Sequence, residues 1–164
     1  MTTAEFQAYV RGREEWFRGR FPESEASLRH AEASLGVRLP ESVRWLLTEY
    51  GYWHGTGIGS LEDCVTETQL ARKHVGLPTK YVVLENHHDG GLILLNTGEE
   101  SSPGECVVYG WVGPEDLGPS PYLPASTRLP SFGAYVAHRL PIEQSLIDTR
   151  WVRYDPNDYP EGRS

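Results

Sequence analysis

The amino-acid sequence predicts an α+β fold in which a twisted, mainly antiparallel sheet packs against helices. Three observations predict this class. Apolar residues recur at helical spacing through about the first 75 residues, β-rich runs follow between 81 and 112, and one more helical pattern ends near 140. Because the strands form a block and do not alternate with helices, an α+β fold is favoured over a β/α fold.

The length and composition predict one soluble domain. A chain of 164 residues can bury a sizeable core, so we expect a single domain over 1–164. No apolar run approaches the ~20 residues of a membrane span, and the N-terminus lacks the apolar core of a signal peptide. The two cysteines, Cys64 and Cys106, lie far apart in the sequence and fit free thiols in a reducing compartment. We therefore expect a cytoplasmic protein that does not bind membranes.

The first three helices each have a start or stop signal. An N-terminal helix is expected over 4–18. The second is capped by Ser24 and stopped by Gly36, and the third runs from Pro40 to Gly51. Their predicted inward residues are Phe6, Tyr9, Val10 and Phe17, then Leu28, Ala31 and Leu35, then Val43, Leu46, Leu47 and Tyr50.

Two more helices are predicted, one before and one after the strands. The first covers 63–75, and the second covers 131–140 with Ser131 as its cap. The tail, 141–164, contains a predicted edge strand, TRWVRYD (149–155), and then frays. The predicted inward residues are Val65, Leu70 and Val75 in the first of these helices and Phe132, Tyr135, Val136 and Leu140 in the second.

Three strands are predicted over 81–85 (YVVLE), 92–96 (LILLN) and 106–112 (CVVYGWV), each bounded by turn residues. Between the last two strands, a turn is expected from Gly98 to Gly104. No internal repeat or linker interrupts the pattern.

The stretch ENHHDGG, residues 85–91, allows two interpretations. His87, His88 and Asp89 could bind a metal or move protons, because imidazole and carboxylate are common metal ligands. Adjacent strand residues point to opposite faces, however, so the two histidines would not converge easily. Asp89-Gly90 is a strong hairpin signal, because glycine accepts the positive φ of a tight turn. We favour the hairpin and predict no metal.

Patterns typical of catalysis are missing from the sequence. There is no G-x-S-x-G nucleophile elbow, and the glycine-rich segment 52–60 matches neither phosphate-loop motif. Cys106 opens an apolar strand, which predicts burial. We therefore expect no enzyme activity, no catalytic residue and no cofactor.

The net charge of −8 is concentrated in the middle of the chain. Residues 61–120 carry three basic and ten acidic side chains, whereas the segments on either side are close to neutral. Such a charge repels nucleic acid and anionic membranes and attracts a basic partner. The alternative is a solvated surface that only keeps the protein soluble. Trp53 and Trp111, beside glycines, are candidate interface anchors or core residues.

The segment AEASLGVRLPESVRWLLTEYG (31–51) resembles the signature of the SUKH superfamily, the Smi/Knr-type domain. Leu35-Gly36, Leu39-Pro40, Leu46-Leu47 and Tyr50-Gly51 occupy the places of its helix–turn pattern. The paired strands over 81–97, the strand ECVVYGWV and the helix SFGAYVAHRL are similar to the elements that follow in the family. The resemblance covers about 24–140, with the N-terminal helix and the tail as extensions.

The resemblance implies a protein-binding function. Bacterial members are typically immunity proteins that bind and block a cognate toxin domain, often a nuclease, of polymorphic or contact-dependent systems. Fungal members imply an alternative, a general interaction scaffold. No catalytic residues belong to the family.

The acidic middle of the chain is therefore the predicted docking surface for a basic toxin domain. The predicted toxin-binding residues are Glu62, Asp63, Glu67, Asp89, Glu99, Glu100, Glu105, Glu115 and Asp116, with Trp53 and Trp111 as anchors. The oligomeric state is left open.

Overall fold

The computed structural model describes residues 1–17, 22–51, 59–87, 91–111 and 128–150, without the side chains of 111 and 146–150. In these ranges the chain forms five α-helices and a four-stranded sheet, which confirms the predicted α+β class. None of the described helices is long and apolar enough to cross a membrane.

The N-terminal helix is shorter than predicted. Helix α1 spans Thr3–Arg11 and begins with a capping box in which Thr2 and Glu5 exchange hydrogen bonds. The helix ends at Gly12, and a short 3₁₀ turn follows over Glu14–Trp16. The prediction of one helix over 4–18 was wrong in extent, because glycine destabilises a helix interior and the chain leaves helical geometry there. Of the predicted inward residues, Phe6, Val10 and Phe17 are nonetheless buried, and Tyr9 is partly buried.

The next two helices agree with the sequence. Helix α2 spans Glu25–Leu35 and is capped by Ser24, whose hydroxyl accepts a hydrogen bond from the Ser27 N–H. It stops at Gly36, where φ is 67°, a left-handed conformation that glycine adopts without a Cβ clash. Helix α3 spans Glu41–Glu49 directly after Pro40. Tyr50, which follows α3, is partly buried, and the other predicted inward residues are buried: Leu28, Ala31, Leu35, Val43, Leu46 and Leu47.

The sheet is antiparallel throughout, in the order β1-β2-β3-β4. Its strands are β1 (Tyr81–Asn86), β2 (Leu92–Ser102), β3 (Glu105–Trp111) and β4 (Arg128–Leu129). The pairing of β1 with β2 confirms the predicted hairpin, although residues 88–90 of its turn lie outside the described ranges. The predicted turn from Gly98 to Gly104 was too long, because β2 continues to Ser102.

Helix α4 spans Leu61–Val75 and covers the outer edge of β1 with polar side chains. Cys64 Sγ donates to the carbonyl of Leu84 at 3.4 Å, and Thr68 Oγ1 accepts from the N–H of Val83 at 2.8 Å. One turn further on, Arg72 donates to the carbonyl of Tyr81 at 3.3 Å. The helix therefore runs antiparallel to β1 and takes the place of a fifth strand.

The predicted inward face of α4 was wrong at two positions. Leu70 and Val75 are 44% and 50% exposed, and Val65 is only partly buried. The spacing of apolar residues gave the wrong face because the side chains that α4 turns to the sheet are largely small or polar. These side chains can form hydrogen bonds with the backbone of an edge strand.

The last helix is longer than predicted. Helix α5 spans Phe132–Arg150, continues through Pro141, and has the Ser131 hydroxyl accepting from the Ala134 N–H at its start. Thr149 and Arg150, predicted to open an edge strand, belong to this helix, and 151–164 lie outside the described residues. The four predicted inward residues, Phe132, Tyr135, Val136 and Leu140, are buried.

The main core lies between one face of the sheet and the helices. Helix α1 is part of it, because the ring of Phe6 packs edge-on against Phe132 at 5.6 Å and Trp45 at 6.0 Å. A smaller apolar cluster on the opposite face contains Leu77, Val83 and Leu94. The N-terminal extension is thus integrated with the rest of the fold.

Candidate protein-binding surface

The acidic residues predicted to bind a partner fall into two groups at opposite ends of the sheet. We call the end formed by Asn86, Leu92 and Trp111, which pair with one another, the hairpin end. Because α4 runs antiparallel to β1, its first turns lie at the hairpin end. Strand β2 carries the chain from Leu92 to Glu99, roughly 20 Å away at ~3.3 Å per residue. The predicted residues therefore do not form one continuous patch.

The first turns of α4 form the acidic part of the hairpin end. Glu62 and Asp63 are exposed, and Ser60 caps the helix by accepting from the Asp63 N–H at 3.0 Å and donating to its carboxylate at 2.7 Å. Glu67, partly buried, accepts a hydrogen bond from the Asn86 amide at 2.7 Å. Negative side chains are favourable here, because the helix N-terminus carries partial positive charge.

A cleft of about 260 Å³ separates this part of α4 from β1. Three carboxylate residues line it, Asp63 and Glu67 from the helix and Glu85 from the strand. Glu85 is paired with Arg139, so Asp63 and Glu67 supply the negative charge of this concave surface. Such a surface suits a protruding basic side chain of a protein partner.

The second acidic group is occupied by contacts within the sheet. Glu99 pairs with Arg128 and accepts a hydrogen bond from the Tyr109 hydroxyl at 2.7 Å. The hydrogen bond from Arg128, more than any other contact, holds the pKa of Glu99 below its ordinary value. Glu100 is exposed, and its carboxylate accepts from the Gly104 N–H at 2.9 Å. These contacts tie β4 and the β2–β3 turn in place.

Glu105, which was predicted to bind the toxin, is not on the surface. It opens β3, is fully buried, and accepts hydrogen bonds from the hydroxyls of Thr3 at 2.7 Å and Ser42 at 2.9 Å. Burial raises the pKa of this carboxyl group, and the two hydroxyl donors oppose the shift. Glu105 therefore links β3 to α1 and α3 and does not face a partner.

Four predicted residues, Trp53, Asp89, Glu115 and Asp116, lie outside the described ranges, and the side chain of Trp111 is not described.

Described residues next to these segments lie at the hairpin end. The N–H of Gly59 bonds the carbonyl of Leu84 at 3.2 Å, the N–H of His87 bonds the carbonyl of Gly91 at 2.9 Å, and the backbone of Trp111 pairs with Leu92.

A buried arginine, which sequence reasoning missed, joins β1 to α5 beside the hairpin end. Arg139, 3% exposed, pairs with Glu85 and Glu143, each at 2.9 Å from Nη2, and its Nη1 donates to the Tyr135 hydroxyl at 3.1 Å. Burial lowers the pKa of Arg139, and the Glu143 carboxylate opposes this effect. The only local sequence signal was the four-residue spacing of Arg139 and Glu143 on one helix.

His87 lies against this cluster, with Nε2 at 3.4 Å from a Glu85 carboxylate oxygen. Burial lowers the pKa of His87, which favours the neutral imidazole at neutral pH. Within the described part of the chain, no group of three or more histidine, cysteine and acidic side chains is arranged to hold a metal ion. His88 and Asp89, the other members of the alternative metal interpretation, lie outside that part.

The model of the SMI1 / KNR4 family (SUKH-1) matches residues 22–138. The chain belongs to this family. The match covers well over half of the 164 residues and confirms the resemblance seen in the helix α2–α3 segment. A comparison with curated proteins finds no significant match to the chain.

The SUKH-1 match begins just before α2 and ends within α5. Both acidic groups and the whole sheet lie within the matched region. Helix α1 precedes it, yet Phe6 and Val10 are fully buried in the same core. The buried Arg139 is the first residue after the match, and its partner Glu85 lies inside it. The SUKH-1 region of this chain is therefore completed by residues on both sides.

Proposed function

We propose that this chain is an immunity-type protein that binds a cognate toxin domain and neutralises it, with a basic domain such as a nuclease as the partner. The observation that carries the proposal is the SUKH-1 match over 22–138, because this family is generally one of non-enzymatic, immunity-type proteins. The concentrated negative charge of residues 61–120 supports a basic partner.

The hairpin end is the docking surface in this proposal. Glu62 and Asp63 are exposed there, and the acidic lining of the cleft between α4 and β1 supports the binding of a basic side chain. Glu99 and Glu100 make contacts within the sheet and lie at the other end. Exposed charges accelerate the encounter with an oppositely charged partner, and this effect weakens as salt shortens the screening length.

The proposal predicts that a toxin-like domain is encoded beside the gene of this protein, and that domain is the partner for the test. Co-expression should restore growth of cells that express the toxin domain, and the purified pair should bind in biolayer interferometry. Reversing the charge at Glu62 to lysine should slow association by roughly tenfold, within the range of electrostatic steering. Raising the salt to ~1 M should remove most of this difference.

Two matched reversals serve as controls. Glu100→Lys changes an exposed carboxylate at the far end of the sheet, and Glu49→Lys changes one on α3. At ~0.15 M salt the screening length is about 8 Å, so neither reversal should alter the association rate by more than about twofold. Equal effects of all three reversals would reject the hairpin end as the docking surface. Failure of the pair to bind or to restore growth would reject the proposed function.

A further inference from the structure

The outward face of α4 combines an exposed leucine with opposite charges at its two ends. The buried side of the helix is formed by Leu61, Cys64 and Thr68. At 100° per residue, Leu70 lies almost directly opposite Thr68, and its side chain is 44% exposed. Of the large hydrophobic residues in the described ranges, those that are exposed, Leu70 and Val75, both belong to α4.

The exposed residues of this face follow a helix-pairing pattern. Asp63, Thr66, Leu70 and Lys73 are spaced by three, four and three residues, as in the seam of a two-helix coiled coil, and all four are exposed. Glu62 precedes the seam on one flank, and His74 follows it on the other.

The charges of α4 are divided between its ends. Its first turn carries Glu62 and Asp63, and its last turn carries Arg72, Lys73 and His74. The helix dipole favours this distribution in a single helix. It does not account for a leucine exposed between the two charged ends, where a polar residue would serve an isolated helix better.

We propose that α4 is a self-association surface, on which α4 of a second copy of this chain packs in the antiparallel direction about a two-fold axis. In this arrangement Leu70 packs beside the axis against Thr66 of the second copy. Glu62 lies across from Lys73, and Asp63 lies across from His74, each pair occurring twice by symmetry. The Glu62–Lys73 pairs thus fix the antiparallel direction, and the central leucines exclude water.

The geometry of the helix accommodates these contacts. From Glu62 to Lys73 the helix rises by about 16 Å at ~1.5 Å per residue, so the Glu62–Lys73 and Asp63–His74 contacts form when the midpoints of the two helices coincide. The contact is one helix wide and has a single leucine from each copy at its centre. It therefore predicts a reversible dimer that forms at micromolar or higher concentration. The interface shares Glu62 and Asp63 with the hairpin end, so self-association and toxin binding exclude each other on this face. The dimer itself is tested without a toxin, so its outcome does not depend on the proposed function.

The test is a charge exchange on the full chain, measured by sedimentation velocity. The mass of the unsubstituted protein should rise from 18.5 kDa towards twice that value as the concentration increases. A range from ~5 µM to ~500 µM covers dissociation constants of this order. Glu62→Lys alone and Lys73→Glu alone should each remain monomeric, because each places like charges across the interface. An equimolar mixture of these two variants should form the dimer again, because opposite charges face each other in the mixed pair.

Matched reversals on other exposed residues, Glu49→Lys and Arg38→Glu, should leave the dimer intact. Leu70→Glu should abolish it, while circular dichroism shows an unchanged fold. A protein that remains at 18.5 kDa over the whole range would overturn the proposal. So would single variants that still dimerise, or a mixture that remains monomeric.

Discussion

The hydroxyl of Thr68 accepts a hydrogen bond from the backbone N–H of Val83 at 2.8 Å and donates one to the carbonyl of Cys64 at 2.6 Å. Thr68 and Val83 are fully buried. The threonine hydroxyl thus accepts the hydrogen bond that the carbonyl of a neighbouring strand would accept from β1. A buried N–H without an acceptor is costly, which makes this side chain a structural necessity.

Thr68→Val should therefore destabilise the protein by about 1–3 kcal/mol, the cost of leaving a buried donor unsatisfied at nearly constant volume. Thr66→Val is the matched control, since Thr66 lies on the exposed side of the same helix and should change stability by no more than about 0.5 kcal/mol. Urea unfolding of both variants measures the difference. Equal losses would mean that valine acts through helix propensity alone.

Glu105 should make stability depend on pH. Burial raises its folded-state pKa above the ordinary value of 4.5, so the folded protein keeps a proton that the unfolded chain has already released. The free energy of unfolding should therefore fall as the pH rises from about 4.5 through the folded-state pKa. Glu105→Gln removes this contribution and should gain stability relative to the unsubstituted protein over that range. Glu49→Gln, at an exposed position, serves as the control in denaturant titrations, and parallel pH curves for all three proteins would contradict the prediction.

Gly133→Ala should destabilise the contact between α1 and α5. A Cβ at this position would lie 2.9 Å from the Sδ of Met1 and from the Cβ of Phe6. Alanine gains about 1 kcal/mol of helix propensity, but overpacking a core typically costs about 1–3 kcal/mol, so we expect a net loss. In thermal unfolding, Phe6→Leu combined with Gly133→Ala should lose less stability than the two changes summed.

Gly12→Ala is the control for this substitution. Its Cβ would meet only backbone oxygens at 3.5 and 3.7 Å, which is ordinary contact, so no loss from overpacking is expected. If Gly133→Ala were as stable as Gly12→Ala, the packing between the two helices would be looser than the structure indicates.

Arg139→Ala should be strongly destabilising. It leaves Glu85 and Glu143 without the cation that lies between them, and breaking a buried ion pair on one side typically costs about 3–5 kcal/mol. Arg38→Ala, at an exposed position, should change stability by no more than about 0.5 kcal/mol. Guanidinium unfolding compares the two variants, and similar midpoints would show that the carboxylates find other partners.

Local signals in the sequence were sufficient for α2, α3 and the β1–β2 hairpin. In α2 an apolar stripe, the Ser24 cap and the Gly36 stop agree, in α3 the apolar stripe follows Pro40, and in the hairpin two β-rich runs flank a turn. The inward face of α4 was mispredicted because that helix packs on the backbone of an edge strand. Its contacts are hydrogen bonds that Cys64 and Arg72 donate to the strand and one that Thr68 accepts from it, and hydrophobic periodicity does not detect them.

The candidate site was harder to predict because its geometry depends on distant parts of the chain. Glu105 is buried only because Thr3 and Ser42 bring hydroxyl groups to it from two other helices. Arg139 meets Glu85 across 54 positions of sequence. Net charge identified the acidic third of the chain correctly, but it did not separate exposed carboxylates such as Glu62 from those occupied within the fold.

Because α4 protects the outer edge of β1, the packing of this helix also affects the tendency of the protein to aggregate. Beneath the helix lies the segment Val82–Val83–Leu84, almost completely buried, in a strand whose outer backbone groups are bonded by the helix. If α4 detaches locally, a short apolar strand with open hydrogen-bonding groups becomes available to other chains, as in the early steps of amyloid-like stacking. The rate of aggregation during storage should therefore depend on the local detachment of this one helix, which requires less free energy than global unfolding.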